Sequence, residues 1–214
     1  MKETTSKEQI LKKIRDALIS KKENPFAHIN FNHPIFNDIS EEKEIQFAKK
    51  LIEMGGSFIY CENENSFLQN LNVLQKEKGW EELFTIDEKL QALLSTGNIN
   101  YDSNPENFTG QKVGMTRCEY FIARFGTVLV SSGLNSGRRM FVFPEIHIIV
   151  GYASQVVTDL KYALQGIKKK YANNFPSQIT AITGPSRTAD IEKTLVMGAH
   201  GPKELFVFMI DDLE

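Results

Sequence analysis

Apolar positions along the chain recur with two periods, near 3.6 and 2, and the alternation between them predicts an α/β protein. Over residues 5 to 21, Ile10, Ile14, Ala17 and Leu18 share one face of a helix that opens at Ser6 and Gln9, a capping pair. From Lys22 to Asn37, "KENPFAHINFNHPIFN" breaks the pattern: two prolines and four asparagines forbid a regular element, while Phe26, Phe31 and Phe36 ask for burial. This reads as an extended arm. Asp38 with Glu41 then opens a helix carrying Ile45, Ala48, Leu51 and Ile52, which Gly55-Gly56 closes before the strand "SFIYC". A helix over 65–78, a strand near "LFTI" and a helix from Asp87 to Leu94 continue the alternation.

The second half is more strongly patterned. "QKVGMTR" and the β-branched "GTVLVSS" predict strands on either side of "CEYFIAR", which reads as one or two helical turns. "MFVF" and "EIHIIVG", separated by Pro144, predict a hairpin and hence a mixed, mostly parallel sheet. Gln155 to Lys170 predicts a helix burying Val156, Leu160, Ala163, Leu164 and Ile167. Strand "QITAIT", a short helix from about Ser186 and strand "ELFVFMI" predict a β-α-β ending. The expected organisation is an N-terminal helix and Phe-rich arm over 1–37, then one three-layer α/β domain over 38–214.

Composition narrows the functional classes. Across 214 residues, 41% hydrophobic, 25 Lys and Arg face 27 acids, so no global basic field would hold the chain on nucleic acid or an anionic membrane. No apolar run approaches the roughly 20 residues of a membrane span, and the N-terminus lacks a signal peptide's apolar core, so a cytoplasmic address is expected. Cys61 and Cys118 are isolated, and His28, His33 and His147 have no carboxylate or cysteine neighbours at ligand spacing. No metal site and no cofactor is expected.

Two stretches could carry chemistry. In "TGPSRTADIEKTLVMGAHGP", residues 183 to 202, Ser186 and Arg187 follow a strand at a predicted helix start, where free N–H groups favour an anion. Arg187 could clamp a carboxylate or phosphate, with Ser186 or Thr188 supplying a hydroxyl. A purely structural reading also stands: Ser186 as N-cap, Asp190 and Glu192 as first-turn acids, His200 near the last turn and Gly201-Pro202 as the stop. In "GLNSGRR", Gly133 and Gly137 allow close backbone approach beside Arg138 and Arg139. It is neither a dinucleotide fingerprint nor a P-loop. Thr127, after Gly126, reads as a turn residue with a hydroxyl available.

Together, "GMTRCEYFIARFGTVLVSSG", "GRRMFVFPEIHIIVG" and "TGPSRTADIEKTLVMGAHGPKELFVFMID" resemble the LUD family. The resemblance implies a Rossmann-like α/β sandwich similar to the sugar-phosphate isomerase and CoA-transferase group. It also implies a role in oxidising L-lactate to pyruvate, beside iron–sulfur partner proteins. In that setting this chain is expected to be a non-redox accessory subunit that binds a small anionic carboxylate or phosphate at the sheet's carboxyl edge. Gly184, Pro185, Ser186, Arg187, Thr188, Asp190, Glu192, His200, Gly201 and Pro202 match the family's signature, and Arg138 and Arg139 its Gly-Arg-Arg element. The chain departs from the family at Phe125, where a small hydroxyl residue usually stands. Two alternatives remain: an acyl- or CoA-transferring enzyme using Asp190, Glu192 or His200, and an interaction protein that docks through the Phe-rich arm.

Overall fold

A computed structural model of the chain describes residues 5–19, 24–30, 36–189 and 195–213. The chain separates into two units, Met1–Asp38 and Ile39–Glu214. In the first unit, helix α1 (Ser6–Ile19) buries none of its residues. The second unit runs α2 (Lys43–Glu53), β1 (Ser57–Cys61), α3 (Glu64–Lys78), β2 (Leu83–Phe84), α4 (Glu88–Thr96), β3 (Tyr101–Asp102), β4 (Val113–Arg117), β5 (Tyr120–Ile122) and β6 (Thr127–Ser131). It continues with β7 (Ile146–Tyr152), β8 (Val156–Val157), α5 (Leu160–Lys170), β9 (Ile179–Ile182), β10 (Arg187–Ala189), β11 (Leu195–Met197) and β12 (Glu204–Ile210).

The expected three-layer α/β architecture is present. Its central sheet is six-stranded in the order β1-β12-β7-β4-β2-β3, and every pairing in it is parallel. Alternation along β7 and β12 explains the layers: Ile146, Ile148, Val150, Phe206, Phe208 and Ile210 face α3 and α4, where they meet Phe67, Leu71, Leu90 and Leu94. The other face, with Ile149, Leu205, Val207 and Met209, packs on Phe47 and Leu51 of α2 and on Phe121, Val128 and Val130 of a second sheet. That sheet, ordered β8-β5-β6-β9, holds two antiparallel pairings and one parallel, and α5 covers its far side through Ala163 and Ile167.

Local signals account for the helices facing that parallel sheet. The Asn63 side chain accepts from the Ser66 amide at 2.9 Å, and Gly79, at φ 65°, ends α3 in the left-handed region. Asp87 caps α4 through the Lys89 and Leu90 amides. Among the described residues no helix is long and apolar enough to cross a membrane.

Several expectations are corrected. The helix predicted from Ser186 is a hairpin, β10 paired antiparallel with β11, in which Thr188 faces Val196 across the strands. "MFVF" is not a strand: residues 138–141 form a 3-10 turn, and β7 pairs parallel with β4 and β12 instead of closing a hairpin. The turn fits because β4 carries Gly114, where a Cβ would lie 2.4 Å from Pro144 Cγ and 2.8 Å from Met140 Cε. "CEYFIAR" supplies β5 before a 3-10 turn at 123–125, and Val156 and Val157 leave the predicted helix to pair with Phe121 and Ile122. α2 begins at Lys43 and buries Phe47 and Leu51, leaving Ile45 and Ile52 exposed.

Candidate functional site

The segment from Ser131 to Arg139 rests on two buried carboxylates that the parallel sheet brings close to it. Asp87 follows β2, and its side chain accepts Arg117 Nε at 2.9 Å on both oxygens and Ser136 Oγ at 3.2 Å, besides capping α4. Glu119 follows β4, and it accepts Ser131 Oγ at 2.6 Å, Tyr171 OH at 2.8 Å and Lys170 Nζ at 2.8 Å. Ser131 Oγ in turn accepts the Gly133 amide at 3.0 Å. A buried charge is tolerated only when paired and hydrogen-bonded, and each acid here has a partly exposed cation and hydroxyl donors. Burial would lower the Lys170 pKa, but its hydrogen bond and attraction to Glu119 prevail and raise it. The Tyr171 hydroxyl is raised by burial and then by its bond to Glu119.

The segment so fixed leads into a cavity. Gly137, at φ 73°, turns the chain against Ile86, where a Cβ would lie 3.2 Å from Ile86 Cδ1. Beyond it the 138–141 turn lays Arg138 and Arg139 along a cavity of about 390 Å³ whose walls include Phe84, Ile86, Pro105, Phe108 and Met140. It lies past the ends of the short edge strands β2 and β3, where Phe84 is level with Gly114 and His147 near the starts of β4 and β7. Arg138 donates to Ser177 Oγ. Arg139 is exposed, and its side chain has no hydrogen bond or ion pair among the described residues. The arrangement offers two fixed positive charges at the edge of an apolar chamber.

The model of the LUD domain matches residues 45–210, more than half of the chain. The chain belongs to the LUD domain family. Relatives include Lactate utilization protein C of Bacillus licheniformis, 34% identical over 113 residues, 52% of this chain and 47% of that protein. Lactate utilization protein C of Bacillus subtilis is 37% identical over 102 residues, 47% of this chain and 42% of that protein. The chain thus spans about half the length of the curated relatives it matches. A crystal structure of a DUF162 family protein from Deinococcus radiodurans superposes with a TM-score of 0.53 at 16% identity, covering 78% of this chain and 96% of that one, a likeness of fold.

The residues expected to be the family signature, 184–202, lie elsewhere than Arg138 and Arg139. Gly184, at φ 86°, would place a Cβ 2.4 Å from the Met54 carbonyl oxygen, and the Ser186 amide donates to Pro202 O at 2.8 Å. Met54 precedes β1, and Lys203 donates its amide to Glu145 O just ahead of β7. The signature therefore sits at the amino ends of β1, β7 and β12, not at the sheet's expected carboxyl edge. Its glycines have packing reasons: a Cβ at Gly201 would lie 3.1 Å from Ser186 Cβ. Arg187 is exposed and reaches Met54 Sδ at 3.3 Å, Thr188 is half-buried in β10, and His200 is exposed in a shallow depression with Phe143, Glu145 and Lys203. Arg138 touches Ser177, ahead of β9, whereas Arg187 comes after that strand, so the structure does not join the two arginine groups. Asp190 and Glu192 lie outside the described residues, as do Phe31 and His33.

The remaining sequence candidates have structural partners. Thr127 Oγ1 meets Thr183 Oγ1 at 2.7 Å. His147 is fully buried and shares a 2.8 Å hydrogen bond with Thr116 Oγ1, and burial pushes its pKa down to about 3, so the ring stays neutral. Cys61 and Cys118 are buried, and burial raises both thiol pKa values. No group of three or more metal-ligating side chains occurs among the described residues.

Proposed function

We propose that this LUD domain is a non-redox component of a lactate-utilisation system and binds an anion at the cavity beside Arg138 and Arg139. One observation carries the site: Arg139 presents a guanidinium without a protein partner among the described residues, next to a segment that two buried carboxylates hold in place. A guanidinium stays charged at all working pH values and offers carboxylates or phosphates two parallel donors. The lactate context rests on relatives named Lactate utilization protein C. Cysteines kept as thiols by burial fit a chain whose redox chemistry belongs to iron–sulfur partners.

Calorimetry of the wild-type chain against L-lactate, pyruvate, CoA and sugar phosphates tests the site. Losing a charge-assisted contact should weaken binding about tenfold or more in Arg139→Ala, and Arg187→Ala should stay within about twofold. Loss in Arg187→Ala with no change in Arg139→Ala would move the site to the hairpin. A strain lacking the chain should fail to grow on L-lactate as sole carbon source, and normal growth would remove the lactate assignment.

A further inference from the structure

The walls of the Arg138–Arg139 cavity say more about its ligand than its charges do. At about 390 Å³ it falls within the range that encloses drug-sized ligands, roughly 300 to 1,000 Å³. One water in the liquid takes up about 30 Å³, and a three-carbon hydroxy acid has only about six non-hydrogen atoms, so lactate would leave much of the chamber unfilled. Polar capacity is confined to one side. Ser136 already donates to Asp87 and Arg138 to Ser177, which leaves Arg139 as the lining residue with an unengaged charged group beside Phe84, Ile86, Pro105, Phe108 and Met140. A small, fully polar ligand set deeper among those walls would lose water without finding hydrogen-bond partners.

The walls are also aromatic. Phe84 and Phe108 meet edge to face with centroids 5.7 Å apart, and Phe108 meets Phe143 in the same manner at 5.5 Å. Phe108 is only half-buried, so its ring keeps surface on which a planar ligand can pack, and a guanidinium can stack on the ligand's face. From this we infer that the cavity takes an aromatic carboxylate, an anion with a planar apolar body of about naphthoate size, in preference to lactate itself. The inference rests on the proposed reading of Arg138 and Arg139 as an anion site. It adds that the acid group sits at the arginines while the ring lies against Ile86, Pro105 and Phe108, the apolar lining residues that keep exposed surface beside the buried Phe84 and Met140.

The test is calorimetry of the full chain with 2-naphthoate, its neutral analogue 2-naphthylmethanol, decanoate and L-lactate. Naphthoate should bind at least about tenfold more tightly than each of the other three, the margin that one charge-assisted contact or one buried ring supplies. Phe108→Ala should weaken naphthoate about tenfold and leave lactate unchanged, and Phe108→Leu, which keeps apolar bulk without the ring, should still lose several-fold. Both variants are first checked for wild-type thermal unfolding, and Phe108→Leu decides the outcome if Phe108→Ala unfolds. Equal affinity for lactate and naphthoate, equal affinity for decanoate and naphthoate, or naphthoate binding untouched by Phe108→Leu would overturn the inference. If lactate binds in an Arg139-dependent way and naphthoate does not, the inference falls while the anion site stands. If no anion responds to Arg139→Ala, both fall.

Discussion

Replacing Asp87 should show how much of the fold and of the loop order one buried carboxylate carries. Asp87→Ala removes the partner of Arg117, the acceptor for Ser136 Oγ and the cap on α4. Breaking a buried ion pair from one side costs about 3 to 5 kcal/mol, and Arg117, with a quarter of its side chain exposed, puts this pair near the lower figure. Loss of the cap adds about 1 kcal/mol. The sum, about 4 kcal/mol, is a large part of the roughly 5 to 15 kcal/mol that holds a domain folded. Asp87→Asn keeps one oxygen for the cap, turns the atom facing Ser136 Oγ from acceptor to donor and loses the charge, and should cost about half as much. Urea unfolding of both variants, each with and without Arg117→Met, gives the costs and the coupling between the two residues. Hydrogen exchange at residues 132–137 should quicken in parallel. A cost below about 1 kcal/mol for Asp87→Ala, with no coupling to Arg117, would refute this view of the pair.

Two further outcomes follow from burial and close contact. His147 has a folded pKa near 3 against 6.5 in the unfolded chain, so between those values the unfolded state binds the extra proton and stability falls as pH falls. Two pH units below 6.5 the loss should be about 3 kcal/mol, and Thr116→Val with His147→Leu should abolish that part of the slope in urea titrations run from pH 7 to 4.5. Gly126→Ala and Gly79→Ala both place a side chain at positive φ, but only Gly126 meets backbone, with a Cβ 2.3 Å from Leu51 N. Thermal unfolding should show a cost of about 1 kcal/mol for Gly79→Ala and several kcal/mol for Gly126→Ala, and equal costs would mean that the contact between α2 and the 123–125 turn yields freely.

What the sequence made legible was local. The helices expected over 65–78 and from Asp87 to Leu94 are α3 and α4, legible because their apolar residues recur within the same few turns. The hairpin at 187–197 could not, because Ser186 has the composition of a helix start while its actual partners, Gly198 and Pro202, stand at least 12 residues downstream. α2 departs from its sequence pattern for a related reason: Ile45 and Ile52 fit a helical stripe, yet the larger Phe47 occupies the core beside Phe58 and Phe121. At the candidate site, Arg138 and Arg139 stood out beside two glycines. Asp87 and Glu119, which hold the segment before them, carry no shared local pattern and converge on it only through the order of the parallel strands. Arg138, at Ser177, and Arg187 stand on either side of β9, whose place is fixed by its pairing with β6.

Anomalous diffraction from crystals of the chain soaked in sodium bromide would locate an anion without any assumption about the natural ligand. A bromide peak at the guanidinium groups of Arg138 and Arg139, beside the cavity of Phe84 and Phe108, is the predicted result. A peak at Arg187 with none at Arg139 would place anion binding on the hairpin and contradict it.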